Sequence, residues 1–102
     1  MQKLVEAGLP HNYEIFETEQ FQKDIIRITR SGQHKLSKKL ANYVYPQLRS
    51  HPHFGPNIKK LKGFQPELWR YRIGAWRFFY EIDDMAKIVY LITASHRSSA
   101  AY

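Results

Sequence analysis

Cationic and titratable side chains crowd the second half of the chain in an order that suits phosphate chemistry. The densest basic segment is Lys59-Lys60-Leu61-Lys62-Gly63, and Arg70, Arg72 and Arg77 follow it directly. His96 and Arg97 come after an apolar run, and Tyr102 is the last residue. Lysines and arginines hold the charge of a phosphate, while a histidine or a tyrosine can move a proton. Cleavage of an RNA phosphodiester needs such a set. A base removes the ribose 2′-hydroxyl proton, cations stabilise the charge on the phosphate oxygens, and an acid protonates the leaving 5′-oxygen. That chemistry requires no metal and no cofactor.

Each residue also has a plainer reading. The lysines can be solvated loop charges, and the arginines can pair with Glu67, Glu81, Asp83 or Asp84. His96 can be a partly exposed histidine at a strand end, and Tyr102 an ordinary frayed terminus. Tyr43, Tyr45, Phe54 and Phe64 around the basic loop offer stacking platforms for bases, or simply packing. Metal catalysis is poorly supported, because Glu14, Glu17 and Glu19 fall on different faces and His51 with His53 is an isolated loop pair.

Strands and helices must bring these groups together. Residues 12–17 (NYEIFE) alternate apolar and polar side chains as a strand does, and Thr18 is suited to cap a helix. In 19–30 the apolar residues Phe21, Ile25 and Ile28 recur at helical spacing, and Ser31-Gly32 stops the pattern. A second helix over 33–49 puts Leu36, Leu40, Val44 and Leu48 on one stripe, with a kink or restart at Pro46. The breaker-rich stretch 50–66 reads as a loop. Three β-rich runs follow at 68–73, 75–82 and 87–95, separated by Gly74 and by the turn Asp83-Asp84-Met85-Ala86. Arg70 and Arg72 face one way, opposite Trp69, Tyr71 and Ile73, so a basic strip should cross one face of the sheet.

The expected fold is α+β: an N-terminal strand and an αα-hairpin packed on one face of a small, mostly antiparallel, four-stranded sheet. The last run, KIVYLITAS, is apolar on both faces and should be an interior strand. A length of 102 residues suits one domain over 1–102, with 1–11 a short extension. Hydrophobic residues at 43% and charged residues at 25% are the balance of a folded globular protein. The chain has no cysteine, which excludes disulfides and thiolate chemistry, and no apolar run long enough for a membrane span. A formal charge of +7 favours a polyanion or an acidic protein as partner, and the cytoplasm is the expected compartment.

The stretch LKGFQPELWRYRIGAWRFFYEIDD followed by KIVYLITASHRSSAAY resembles the RelE/ParE superfamily of type II toxin–antitoxin toxins. The resemblance runs from Tyr13 to Tyr102. Its features are a Leu-Lys-Gly loop, an arginine-bearing strand, a Gly-x-aromatic-Arg strand and a His-Arg tail. It implies a ribosome-dependent endoribonuclease that cuts messenger RNA and is inhibited by a cognate antitoxin wrapped over the basic face. By motif, Lys60 and Lys62 correspond to loop lysines that engage phosphate, Arg70 or Arg72 to a strand arginine, Arg77 to the arginine of the Gly-aromatic-Arg strand, and Arg97 to the tail arginine. Tyr102 matches a C-terminal tyrosine given the role of base, and His96 matches a histidine that several RelE-like branches use for acid–base work. The superfamily also holds ParE-like poisons of DNA gyrase and offers room for a non-catalytic binding module. The basic loop and the His-Arg tail favour the RelE-like branch.

Overall fold

A computed structural model describes residues 12–96. Its elements in chain order are strand β1 (Glu14–Glu17), helix α1 (Glu19–Arg30), helix α2 (Leu36–Lys39), a π-helical turn (Leu40–Val44), helix α3 (Tyr45–Ser50), and strands β2 (Ile58–Leu61), β3 (Leu68–Ile73), β4 (Trp76–Asp83) and β5 (Ile88–His96). The strands form one sheet in the order β1-β5-β4-β3-β2. The β1–β5 pair is parallel and the other pairs are antiparallel. The α+β architecture with a helical layer on one face is as the sequence predicts, but the sheet has five strands among the described residues rather than four. The fifth is β2, inside the segment read as a loop. Pro56 and Gly63 bracket only four strand residues there, IKKL, and two adjacent lysines hide the alternation.

Helix α1 starts where the sequence places it. Thr18 Oγ1 accepts a hydrogen bond from the N–H of Phe21 (3.2 Å), which satisfies an otherwise orphaned donor of the first turn. The same hydroxyl donates to the carbonyls of Leu91 (2.8 Å) and Ile92 (3.0 Å), so this cap is also tied to β5. Thr18→Ala removes both roles. It should lower unfolding stability by about 1–2 kcal/mol in chemical denaturation; an unchanged midpoint would show that the cap contributes nothing.

β1 pairs with β5 only over Ile88–Leu91, which leaves the last residues of β5 without a strand on that side among the described residues. Helix α1 takes its place. Asp24, 2% exposed in the middle of α1, accepts the Ala94 N–H (3.0 Å) and the Thr93 hydroxyl through Oδ2, and Gln20 and Arg27 donate to Oδ1 (2.8 and 3.2 Å). Burial pulls the Asp24 carboxyl up, but the hydrogen bonds from Thr93, Ala94 and Gln20 and the Arg27 charge outweigh it and hold the pKa below the ordinary value.

The second helical run buries Leu36, Leu40, Val44 and Leu48, all four residues apart. A spacing of four overshoots a 3.6-residue turn by about 40° at each step. The wider π turn, in which the Tyr45 N–H reaches the Leu40 carbonyl, takes up that drift and keeps the stripe on one face. It also precedes Pro46, so the helix passes the missing donor without breaking and resumes with the proline in the first turn of α3. These leucines and Val44 pack with Phe21, Phe78, Tyr80, Val89 and Leu91 into the core between helices and sheet. Phe21 meets Phe78 edge to face, with ring centroids 6.2 Å apart.

Side-chain bonds fix the 51–57 connection. Tyr80 donates to the Pro52 carbonyl (2.7 Å), and Gln47 Nε2 donates to the Phe54 carbonyl (2.9 Å). His53 lies 3.2 Å from Asp84 Oδ2, whose other oxygen accepts from Tyr13 (2.6 Å). That hydrogen bond, with burial and the Asp84 charge, pushes the Tyr13 pKa up to about 12. Among the described residues no helix is long and apolar enough to cross a membrane.

Candidate phosphate-binding face

The helices cover one face of the sheet, and strand alternation sends Arg70, Arg72 and Arg77 to the other. Register arranges them in two neighbouring rows. Lys59 on β2 lies opposite Arg70, which in turn lies opposite Phe79 and then Thr93. Arg72 lies opposite Arg77, and Arg77 opposite Ser95. Directly opposed residues have Cβ atoms about 4.5–5.5 Å apart, where like charges destabilise the pair. Glu81 is on the same face, beyond Phe79 on β4, opposite Tyr90.

Arg70 is the most constrained of these cations. Burial, and then the charges of Arg72 and Arg77, lower its pKa from the usual guanidinium value, which leaves it charged in an environment that disfavours charge. Its Nε is buried and has no hydrogen-bond partner among the described residues. A cleft bounded by Pro56, Asn57, Ile58, Lys59, Arg70 and Arg72 opens beside it. The Asn57 carbonyl accepts the Arg72 N–H (2.9 Å), which holds the cleft wall against β3. A partly buried guanidinium whose Nε has no partner among the described residues, flanked by further cations, is suited to receive an oxyanion.

The other candidates lie elsewhere. Lys60 is opposite Trp69, on the helix-bearing face, where its ammonium pairs with Glu67 (2.8 Å) and sits 6.0 Å from the Trp69 ring centre. Its neighbour Lys59 is the lysine that joins the arginines, a residue the sequence reading passed over. Had IKKL been read as a strand in register with Arg70, strand parity would have selected it. Lys62 is exposed in the turn after β2. His96 is opposite Trp76, its ring edge-on at 4.8 Å, so it too belongs to the helix-bearing face at the end of β5. Arg97 and Tyr102 lie outside the described residues. The structure therefore brings Arg70, Arg72 and Arg77 together and leaves Lys60 and His96 on the other face.

The family model for the ParE toxin of type II toxin–antitoxin systems matches residues 15–101. The chain belongs to this family. It is thus a type II toxin of the RelE/ParE group, and its arginine face is a face of a toxin. A comparison with curated proteins gives no match. Solved toxin structures share the fold. A chain of the toxin–antitoxin complex RelBE2 from Mycobacterium tuberculosis superposes with a TM-score of 0.68 at 19% identity, covering 86% of this chain and 94% of that one. The archaeal RelE–RelB complex from Pyrococcus horikoshii gives 0.62 at 19% identity, with 87% and 99% covered. The YoeB dimer from Staphylococcus aureus gives 0.64 at 20%, with 83% and 97% covered.

Proposed function

We propose that this toxin is a metal-independent endoribonuclease that cleaves messenger RNA on the ribosome and so stops translation in the cytoplasm. The observation that carries the reading is the pair of cationic rows on the helix-free face, with the Nε of Arg70 unpartnered among the described residues. Arg70, Arg72 and Arg77 hold the phosphate under attack and Lys59 extends the row, while Lys62 in the turn after β2 adds charge, as does Arg97 by its match to the family's tail arginine. Tyr102 moves the proton, as the resemblance to RelE-like toxins suggests; His96, the alternative, lies against Trp76 on the opposite face and contributes only after leaving that ring. Lys60 contributes only after leaving Glu67.

A cognate antitoxin is the natural partner, since the related RelE–RelB and RelBE2 structures are toxin–antitoxin complexes. The toxin domain spans the chain, with residues 1–11 an extension. A gyrase-directed poison is the second reading, and the family model named for ParE favours it.

The test is to induce the chain in bacteria and map the 5′ ends of a translated reporter beside an untranslated copy, with a gyrase-cleavage assay in parallel. Cuts confined to the translated message are expected. Intact message with trapped gyrase–DNA complexes would establish the second reading, and neither effect would leave a non-catalytic binding module.

A further inference from the structure

The row that begins at Arg72 ends on a side chain the proposed chemistry has not used. Ser95 is 9% exposed, and its hydroxyl is buried without a hydrogen-bond partner among the described residues. Its neighbours are all engaged: the Thr93 hydroxyl and the Ala94 N–H bind Asp24, and the His96 ring packs against Trp76. Strand alternation turns Ser95 away from the core that Ala94 joins and toward Arg77, which lies opposite it in register.

Buried hydroxyls in native proteins nearly always find a partner, and an orphan calls for a specific explanation. Here a second orphan, the Nε of Arg70, lies on the same face one row away. Both can donate, and both stand among cations. The group that satisfies them must accept hydrogen bonds and carry negative charge. The rows are separated by two strand residues, about 7 Å, so they present two anion sites in succession, as the backbone of a nucleic acid does.

Resting on the reading that this face binds RNA, we propose that Ser95 is a phosphate ligand: its hydroxyl donates to a non-bridging oxygen of a phosphate seated on Arg72 and Arg77. Ser95 thereby sets how closely the nucleic-acid strand sits on the sheet, because its side chain ends the row that Arg72 and Arg77 begin.

The test compares wild type, Ser95→Ala and Arg72→Ala for binding of a short 2′-O-methyl oligoribonucleotide, which cannot be cleaved, at low ionic strength, and records the melting temperature of each free protein. Ser95→Ala should weaken binding about tenfold, the worth of one hydrogen bond to a charged acceptor. Its melting temperature should stay the same or rise, because the change removes an unsatisfied buried group. Equal binding by wild type and Ser95→Ala, with Arg72→Ala weakened, overturns the role of Ser95 and leaves the RNA reading standing. A lowered melting temperature for Ser95→Ala assigns the hydroxyl to the fold and overturns the proposal as well. A wild type that binds no oligonucleotide overturns both readings together.

Discussion

Arg72→Ala is expected to lower cleavage of a translated message by about a hundredfold without lowering stability. Preorganised donors aimed at developing charge contribute on the order of 10²–10³ in rate each, and Arg72 stands in the row that meets Arg77 and Ser95. In the free protein Arg72 and Arg77 are like charges directly opposed on neighbouring strands. Such a pair costs about 0.2–1 kcal/mol, so loss of one member relieves the fold while it damages the site. Single-turnover cleavage and a thermal melt on the same preparation read the two effects separately. Wild-type cleavage by the variant would remove the arginine rows from the chemistry, and a large drop in melting temperature would make Arg72 a structural residue.

The largest effect on stability should come from Asp24→Ala. The carboxylate serves donors from two elements, Gln20 and Arg27 on α1 and Thr93 and Ala94 on β5, and it is almost fully buried. Its removal strands the Ala94 N–H and the Thr93 hydroxyl, at about 1–3 kcal/mol for each buried group left unsatisfied, for a total of about 3–5 kcal/mol. A small domain has only about 5–15 kcal/mol in all, so the variant should unfold at markedly lower denaturant. The sign of the pH dependence follows from the lowered pKa of Asp24. A carboxyl held below its unfolded value of about 3.9 stabilises fully above that value, and the contribution disappears as pH falls through the folded pKa. Wild-type stability should therefore decline below about pH 4, and Asp24→Ala should lack that part of the decline. Parallel pH profiles for the two proteins would sink this account.

Local periodicity made the frame readable. The alternation of Trp76, Phe78, Tyr80 and Ile82 against Arg77 and Glu81 marks β4 and its two faces, and KIVYLITAS reads as an interior strand because β5 lies between β1 and β4. The arginine face followed from the same parity. Strand β2 was not legible, because its pattern depends on pairing with β3 rather than on its own residues, so parity could not place Lys59 beside Arg70 or Lys60 on the opposite face. His96 looked like the start of a tail, but β5 runs through it, and one more strand residue is enough to decide its face. Asp24 has the sequence surroundings of a solvated helix charge, between Lys23 and Ile25. Only the early end of β1 exposes the backbone that buries it. The Tyr13–Asp84–His53 contacts join residues 71 and 31 positions apart, a distance over which a single sequence carries no pattern.

The short strand at the sheet's edge has a bearing on solubility. An edge strand offers unpaired backbone donors and acceptors to any extended segment that approaches, and long apolar edges seed aggregation. Ile58–Leu61 is four residues long, and its adjacent lysines lie on opposite faces, so an incoming strand meets Lys59 on one side of the plane and the Lys60–Glu67 ion pair on the other. The lysine that extends the phosphate row thus also guards the edge against another copy of the same strand. Substitutions that neutralise it to disarm the toxin would at the same time remove one of its protections against self-association.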